Sequence, residues 1–105
     1  MAINHWSRYY ELSRDKSAQP HPEIIDRIQS LIEIRGARIL EVGAGRGADS
    51  VEFAKRGAYC VAIDNSDIAT EIAIRNAASR GVSVAVLKAD AFKFPFKDNI
   101  FDIVF

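Results

Sequence analysis

At 105 residues the chain is long enough for one domain with a modest core. Apolar residues make up 49% and charged residues 27%, a mixture that is typical of a globular protein rather than of a disordered or membrane-embedded one. The 14 basic and 14 acidic residues cancel, so no broad basic field is available to attract nucleic acid or anionic lipid. We therefore expect neither a nucleic-acid nor a membrane partner.

The compartment is predicted from the cysteine content and the first residues. A single cysteine, Cys60, excludes an intramolecular disulfide and fits a reducing environment. The first residues lack the apolar run of a signal peptide. These features predict a cytoplasmic protein.

Two helical patterns come first along the chain. Trp6, Tyr9 and Tyr10 share one helical face, which predicts a short helix followed by a loop over residues 1–21. From Pro22 onward an apolar stripe at helical spacing predicts a second helix that Gly36 ends. The members of that stripe are Ile24, Ile25, Ile28, Leu31 and Ile32.

Strands and helices then alternate. Apolar runs over 38–42, 59–63, 82–87 and 100–105 predict strands, and the stretches 48–56 and 67–80 predict helices, the second capped by Ser66. Such alternation indicates right-handed crossovers and a parallel sheet with helices on both faces. The predicted fold class is α/β, with a Rossmann-like parallel sheet and flanking helices.

Acidic residues occupy corresponding places at the ends of three predicted strands. Glu41 ends the first, Asp64 follows the second and Asp90 follows the third. The carboxyl ends of parallel strands face one crevice, where ligands bind. The first turn also carries Gly43, Gly45 and Gly47, which let a ligand approach the backbone.

Glu41 is the most informative acid, because a carboxylate on a strand covered on both faces requires compensation. It pairs with Arg38 or Arg46, lies just outside the sheet, or accepts hydrogen bonds from a cationic ligand. Asp64 lies 21 positions after Gly43, close to the spacing at which an acid meets ribose hydroxyls. Its alternative role is an Asx turn or helix cap.

The third acid and the two residues after it are candidates to bind an aromatic ring of a ligand. Asp90 is placed to accept from an adenine amino group, Ala91 offers a backbone donor and Phe92 offers an apolar surface. The alternative for such an acid is a solvated loop residue.

Together the motif Glu41-x-Gly43-x-Gly45-x-Gly47, then Asp64, then Asp90-Ala91 resembles the class I S-adenosylmethionine-dependent methyltransferases. The resemblance runs from about residue 38 to 105 and implies the first four strands of that fold. It implies that the first acid and the glycine loop hold the methionine part of S-adenosylmethionine, that the second acid holds the ribose, and that the third acid and the residue after it hold the adenine. The implied cofactor-binding residues are Glu41, Gly43, Ala44, Gly45, Gly47, Asp64, Asn65, Asp90, Ala91 and Phe92.

Two other functions fit parts of the pattern. An NAD(P)-binding domain of an oxidoreductase also uses G-x-G-x-x-G/A, which Gly43, Gly45 and Ala48 satisfy, but Glu41 would be poorly placed near a pyrophosphate. A non-catalytic cofactor-binding module is the third possibility. The methyl acceptor is unidentified, with a small molecule slightly favoured by the neutral charge.

The remaining residues give weaker expectations. Residues 1–21 are a candidate lid over the cofactor, or an aromatic face that packs on residues 22–105. His5 and His21 lack carboxylate or cysteine partners at ligand spacing, so we expect surface residues and no metal site, and Cys60 is expected to be buried and unreactive. We name no catalytic residue. The final apolar run predicts a truncated product, or self-association through an uncovered strand.

Overall fold

The computed structural model describes residues 20–93, 96–97 and 99–105 of the chain. Helices and strands alternate through these ranges after a first helix. In chain order they are α1 (Pro22–Leu31), β1 (Arg38–Val42), α2 (Ala48–Lys55), β2 (Tyr59–Asp64), α3 (Asp67–Ser79), β3 (Val84–Lys88) and β4 (Ile103–Val104). The predicted helix around Trp6, Tyr9 and Tyr10 lies outside the described residues.

The strands form one parallel sheet in the order β3-β2-β1-β4. In the register Glu41 stands beside Ala62, and Asp64 at the end of β2 stands beside Lys88 at the end of β3. The chain steps outward from β1 to β3 and then returns to the other side of β1. This reversal beside β1 is the place where open α/β sheets form a ligand crevice. The α/β class and the parallel sheet are confirmed.

The described helices lie on one face of the sheet. Successive right-handed crossovers in one direction bring α2 and α3 side by side, and α1 packs on α2. The sequence predicted helices on both faces, and this is wrong for the described part of the chain. On the other face Tyr59 is 71% and Leu87 44% exposed, while the loop after β3 brings Phe96 edge-to-face with Phe101.

The core lies between the sheet and these helices. Phe53 of α2 is fully buried and meets Phe105 edge-to-face with a centroid distance of 5.4 Å. Burial of such large side chains supplies most of the driving force for this layer. The buried cluster consists of Ile25, Ile34, Ala37, Ile39, Phe53, Ala58 and Cys60.

The first described helix ends earlier than predicted. Helix α1 stops at Leu31 and Ile32 is extended, whereas the apolar stripe predicted continuation to Gly36. The physical reason is that the chain leaves the helix to bury Ile34 completely, while Leu31 stays 71% exposed. Gly36 instead forms the turn into β1, with a φ of +80° and its N–H bonded to the Gly57 carbonyl.

Strand boundaries also differ from prediction, most of all where β3 and β4 begin. Strand β3 begins at Val84 rather than at residue 82, and β4 covers Ile103–Val104 rather than the whole apolar run from residue 100. Backbone bonds from Asp102 to Arg38 and between Phe105 and β1 extend the pairing beyond β4. No helix within the described ranges has the length and apolarity that crossing a membrane requires.

Gly47, at the start of α2, provides a test of this packing. Its φ is +75°, and a Cβ built on it would lie 3.0 Å from the Cβ of Ala73 in α3. We expect Gly47→Ala to lower the free energy of unfolding by about 3 kcal/mol, because left-handed strain and overpacking add. Urea titration measures the loss.

Gly81→Ala is the matched control, since its φ is +69° but nothing lies within 4 Å of the added carbon. Its free energy of unfolding should fall by about 1 kcal/mol, because only the left-handed strain is introduced. Equal losses for the two variants would show that the contact between α2 and α3 adds nothing.

Candidate functional site

The turn from β1 into α2 is built from glycines in the left-handed region. The φ values are +67° at Gly43, +56° at Gly45 and +75° at Gly47, and L side chains rarely adopt them. The Ala44 N–H donates to the Ile63 carbonyl at 3.0 Å, which fastens the loop to the end of β2. The predicted glycine loop is therefore a tight turn at the carboxyl end of β1.

Asp64 joins this loop to the end of β2. Its Oδ2 accepts from the Gly45 N–H and its Oδ1 from the Ser66 N–H, both at 2.9 Å. Ser66 itself caps α3 by accepting from the Ala69 N–H at 3.2 Å. Capping thus belongs to Ser66, as predicted, while Asp64 forms an Asx turn and positions the loop. Each carboxylate oxygen has two lone pairs, so these bonds leave acceptor capacity for a ligand.

The third acid lies next to Asp64 in space. The Ala89 N–H donates to the Asp64 carbonyl at 3.0 Å, which sets Asp90 just beyond the ends of β2 and β3. Asp90 Oδ1 accepts from the Phe92 N–H at 2.9 Å, and the Phe92 ring is 99% exposed. An exposed aromatic ring beside a fixed carboxylate is a suitable surface for a flat polar ligand.

The residues predicted from sequence therefore meet at one edge of the sheet. Gly43 of the loop is exposed there, as are Asn65 after β2 and Ala91 after β3, while Asp64 and Asp90 are half-buried. A cavity of about 480 Å³, lined by Tyr59, Phe96 and Phe101 among others, lies away from this edge.

Glu41 lies behind the loop with only 5% of its surface exposed. Its Oε1 accepts from the Ser50 hydroxyl at 2.9 Å, and the Ser50 backbone N–H also bonds to the carboxyl. Burial raises the pKa of Glu41 to about 7; the Ser50 bonds oppose this rise, and the nearby Asp49 adds to it. The side chain thus changes charge near neutral pH.

The structure excludes the alternative in which Glu41 pairs with Arg38. Arg38 binds Asp102 instead, with Nη2 to Oδ1 at 3.1 Å and its backbone N–H to Oδ2 at 2.8 Å. Arg38 begins β1 and Glu41 is the fourth residue of that strand, so successive side chains alternate faces and these two point apart.

Three residues at this site were not predicted from the sequence. Asp49 and Ser50 are buried in the first turn of α2, and His21 precedes α1. His21 was expected to lack a carboxylate partner, but its Nδ1 lies 2.9 Å from Asp49 Oδ2. The sequence feature that could have indicated Asp49 is its place in the first turn of the helix that directly follows the glycine loop.

Cys60 behaves as predicted. It is 5% exposed within β2, and burial raises the pKa of its thiol to about 12, so it stays protonated and unreactive. Among the described residues, no three histidine, cysteine or acidic side chains are grouped so as to hold a metal ion.

Comparison with known proteins agrees with this geometry. Residues 39–105 match the family described as methyltransferase domain. Demethylmenaquinone methyltransferase of Corynebacterium glutamicum is 38% identical over 69 residues, which are 66% of this chain and 27% of that protein. The chain therefore spans about a quarter of the length of this curated relative.

Solved structures show the same fold. The YcgJ protein of Bacillus subtilis superposes with a TM-score of 0.71 and 29% identity, covering 80% of this chain and 37% of that one. The S-adenosylmethionine-dependent methyltransferase of Thiobacillus denitrificans, solved with S-adenosyl-L-homocysteine, gives 0.74 at 24% identity over 99% of this chain and 43% of that one. Because the family match covers the glycine loop and all three acids, the chain belongs to the methyltransferase domain family, with its Rossmann-like class I fold.

Proposed function

We propose that the chain binds S-adenosylmethionine in the crevice beyond β1, β2 and β3. It would serve as the cofactor-binding part of an enzyme that transfers the methyl group to a small molecule. The observation that carries this proposal is Glu41, a buried carboxyl with a pKa of about 7 directly behind a glycine loop. Such a group ionises at little cost when a cation arrives.

The loop and Glu41 are assigned to the methionine part of the cofactor. Its ammonium group is drawn towards the Glu41 carboxylate, because opposite charges attract strongly where water is excluded. The left-handed Gly43 leaves its exposed backbone open to close approach, since nothing lies within 4 Å of where a Cβ would stand.

The other two acids are assigned to the nucleoside part. Asp64 and Asn65 face the ribose hydroxyls, and the bonds that Asp64 receives from Gly45 and Ser66 fix its carboxylate beforehand. Asp90 is assigned to the adenine amino group, with Ala91 offering a backbone contact and the exposed Phe92 ring covering the base. A ligand held at both ends is also held in orientation.

The bound cofactor supplies an electrophilic methyl group on a sulfonium, and displacement by an acceptor needs chiefly alignment from the protein. This chain's part is to fix the methionine and adenosine ends so that the methyl group faces the acceptor. A small-molecule acceptor is supported by the relative that is named for demethylmenaquinone.

Dinucleotide binding is the weaker alternative. A pyrophosphate at the loop would lie close to Glu41 and Asp49, and negative charges repel one another in such a buried setting. A thermal-shift assay decides between the two ligands. S-Adenosylhomocysteine should raise the melting temperature of the chain, and NADH should not. A shift with NADH alone would overturn the proposal.

Asp64→Asn tests the assignment of Asp64 to the site, both as a ribose acceptor and as the acceptor that fixes the loop. The amide nitrogen donates rather than accepts, so one acceptor oxygen is lost and S-adenosylhomocysteine affinity should fall by roughly ten-fold, measured by calorimetry. Asp67→Asn is the matched control: Asp67 lies three residues later and pairs with Lys88 on the surface. Equal affinities for the two variants would exclude Asp64 from the site.

At pH 8, Glu41→Gln should raise the free energy of unfolding and weaken the binding of S-adenosylhomocysteine. Ionising Glu41 costs more in the folded chain than in the unfolded one, because its pKa is about 7 rather than 4.5. Stability conferred by this group is therefore fully present below pH 4.5 and is lost as the pH rises to about 7. The loss is about 3 kcal/mol, and the variant, having no proton to lose, avoids it.

Urea titrations at pH 5 and pH 8 measure this difference. The pKa of His21 is also raised, so the stability that His21 contributes is likewise lost as the pH rises. This loss is common to the wild type and to Glu41→Gln. Glu71→Gln, an exposed change on α3, is the control and should leave the pH profile as it is. Calorimetry at pH 8 should show weaker S-adenosylhomocysteine binding in Glu41→Gln, and unchanged affinity would remove Glu41 from the proposed site.

A further inference from the structure

His21 and Asp49 form a two-point clamp between α1 and α2. The His21 backbone N–H donates to Asp49 Oδ1 at 2.7 Å, and the ring Nδ1 lies 2.9 Å from Oδ2. The side chain of Asp49 is only 11% exposed, whereas that of His21 is 59% exposed. A buried carboxylate is thus held by an imidazole that reaches solvent. Nδ1 is the donor in this contact, because an ionised carboxylate can only accept.

This clamp adjoins Glu41 directly. Asp49 precedes Ser50, the residue whose hydroxyl and backbone N–H bind the Glu41 carboxyl. Asp49 also bonds with Glu41 when Glu41 holds the proton, and its charge disfavours loss of that proton. Imidazole, Asp49 and Glu41 therefore form one row that leads from the surface to the buried end of β1.

Other charged groups lie on the elements that surround His21, Asp49 and Glu41. Glu23 on α1 acts on His21, and so, as the smallest of the contributions, does the charge of Glu41 itself; the charge of Glu41 also acts on Cys60 of β2. Arg46 lies in the loop and Asp64 ends β2, where it binds Gly45 and Ser66. On the β4 side, Asp102 is paired with Arg38 at the opposite end of β1. Asp49 and His21 form the row that reaches Glu41 through the first turn of α2.

We propose that His21 and Asp49 are positioning residues that set the charge Glu41 presents to the ammonium group of the cofactor, with His21 acting through Asp49. The role rests on the proposed function. With a protonated His21, the clamp is neutral as a pair, and Glu41 can lose its proton as the cofactor arrives. Without the imidazole, two buried carboxylates compete for one cation, and the second is harder to ionise.

The pH dependence of binding separates this role from a structural one. Affinity for S-adenosylhomocysteine is measured by calorimetry on the full chain between pH 6 and pH 8. Asp49→Asn removes the repelling charge, so the midpoint of the affinity profile should move down by about half a pH unit. His21→Ala should move it up by a similar amount. At pH 6 each shift is about a three-fold change in Kd, and at pH 8 the curves should converge.

The double variant tests whether His21 acts through Asp49. In the Asp49→Asn background, His21→Ala should add little further shift of the midpoint, because the direct effect between His21 and Glu41 is small beside the effect of Asp49. Asp26→Asn on α1 is the control, since this exposed acid pairs with Arg56 away from the clamp, and it should keep the wild-type midpoint. If His21→Ala fails to fold, His21→Asn retains a side-chain donor without the titrating ring and should also move the midpoint up.

The outcomes distinguish the two proposals. Wild-type protein that does not bind S-adenosylhomocysteine at any pH overturns the proposed function, and the positioning role falls with it. Wild-type binding with unshifted midpoints in both single variants, or with affinities lowered equally at pH 6 and pH 8, overturns the positioning role alone. The positioning role is established by opposite midpoint shifts in the two single variants, together with a double variant whose midpoint stays close to that of Asp49→Asn.

Discussion

The carboxyl group of Glu41, held out of water near the end of β1, is the constraint on which the candidate site depends. The chain offers it two donors from Ser50 in the first turn of α2, where the helix dipole also favours negative charge. To place that turn against the carboxyl, the backbone must reverse within the short glycine loop. Burial of one acid thus fixes the direction of α2 and the position of the loop in front of it.

The same edge is held together by hydrogen bonds that cross between strand ends. Ala44 bonds to Ile63, Gly45 to Asp64 and Ala89 to the Asp64 carbonyl, so three separate turns share one set of contacts around the end of β2. A ligand that binds here meets acceptors that already have fixed positions, which lowers the entropy lost on binding. Asp64 organises the loop through the bonds that it accepts from Gly45 and Ser66, and in the proposed function it also binds the ribose.

Local patterns predicted much of this arrangement, because hydrophobic alternation, glycine turns and acids at strand ends depend on neighbouring residues. The loop, the Ser66 cap and the buried Cys60 follow from such patterns. The pairings of His21 with Asp49 and of Arg38 with Asp102 join residues 28 and 64 positions apart, and no local pattern encodes them. The end of α1 was misjudged for a similar reason, since burial of Ile34 in the tertiary core outweighs helical spacing.

The close approach of Gly47 to Ala73 has a consequence for how this sequence can vary over evolution. A Cβ at position 47 would lie 3.0 Å from that of residue 73, so the two positions share one small volume between α2 and α3. Enlarging residue 73 would push α3 away from the loop, and with it the cap at Ser66 and the turn that holds Asp64. We therefore expect positions 47 and 73 to stay small together in homologues, as a correlated pair linked by packing.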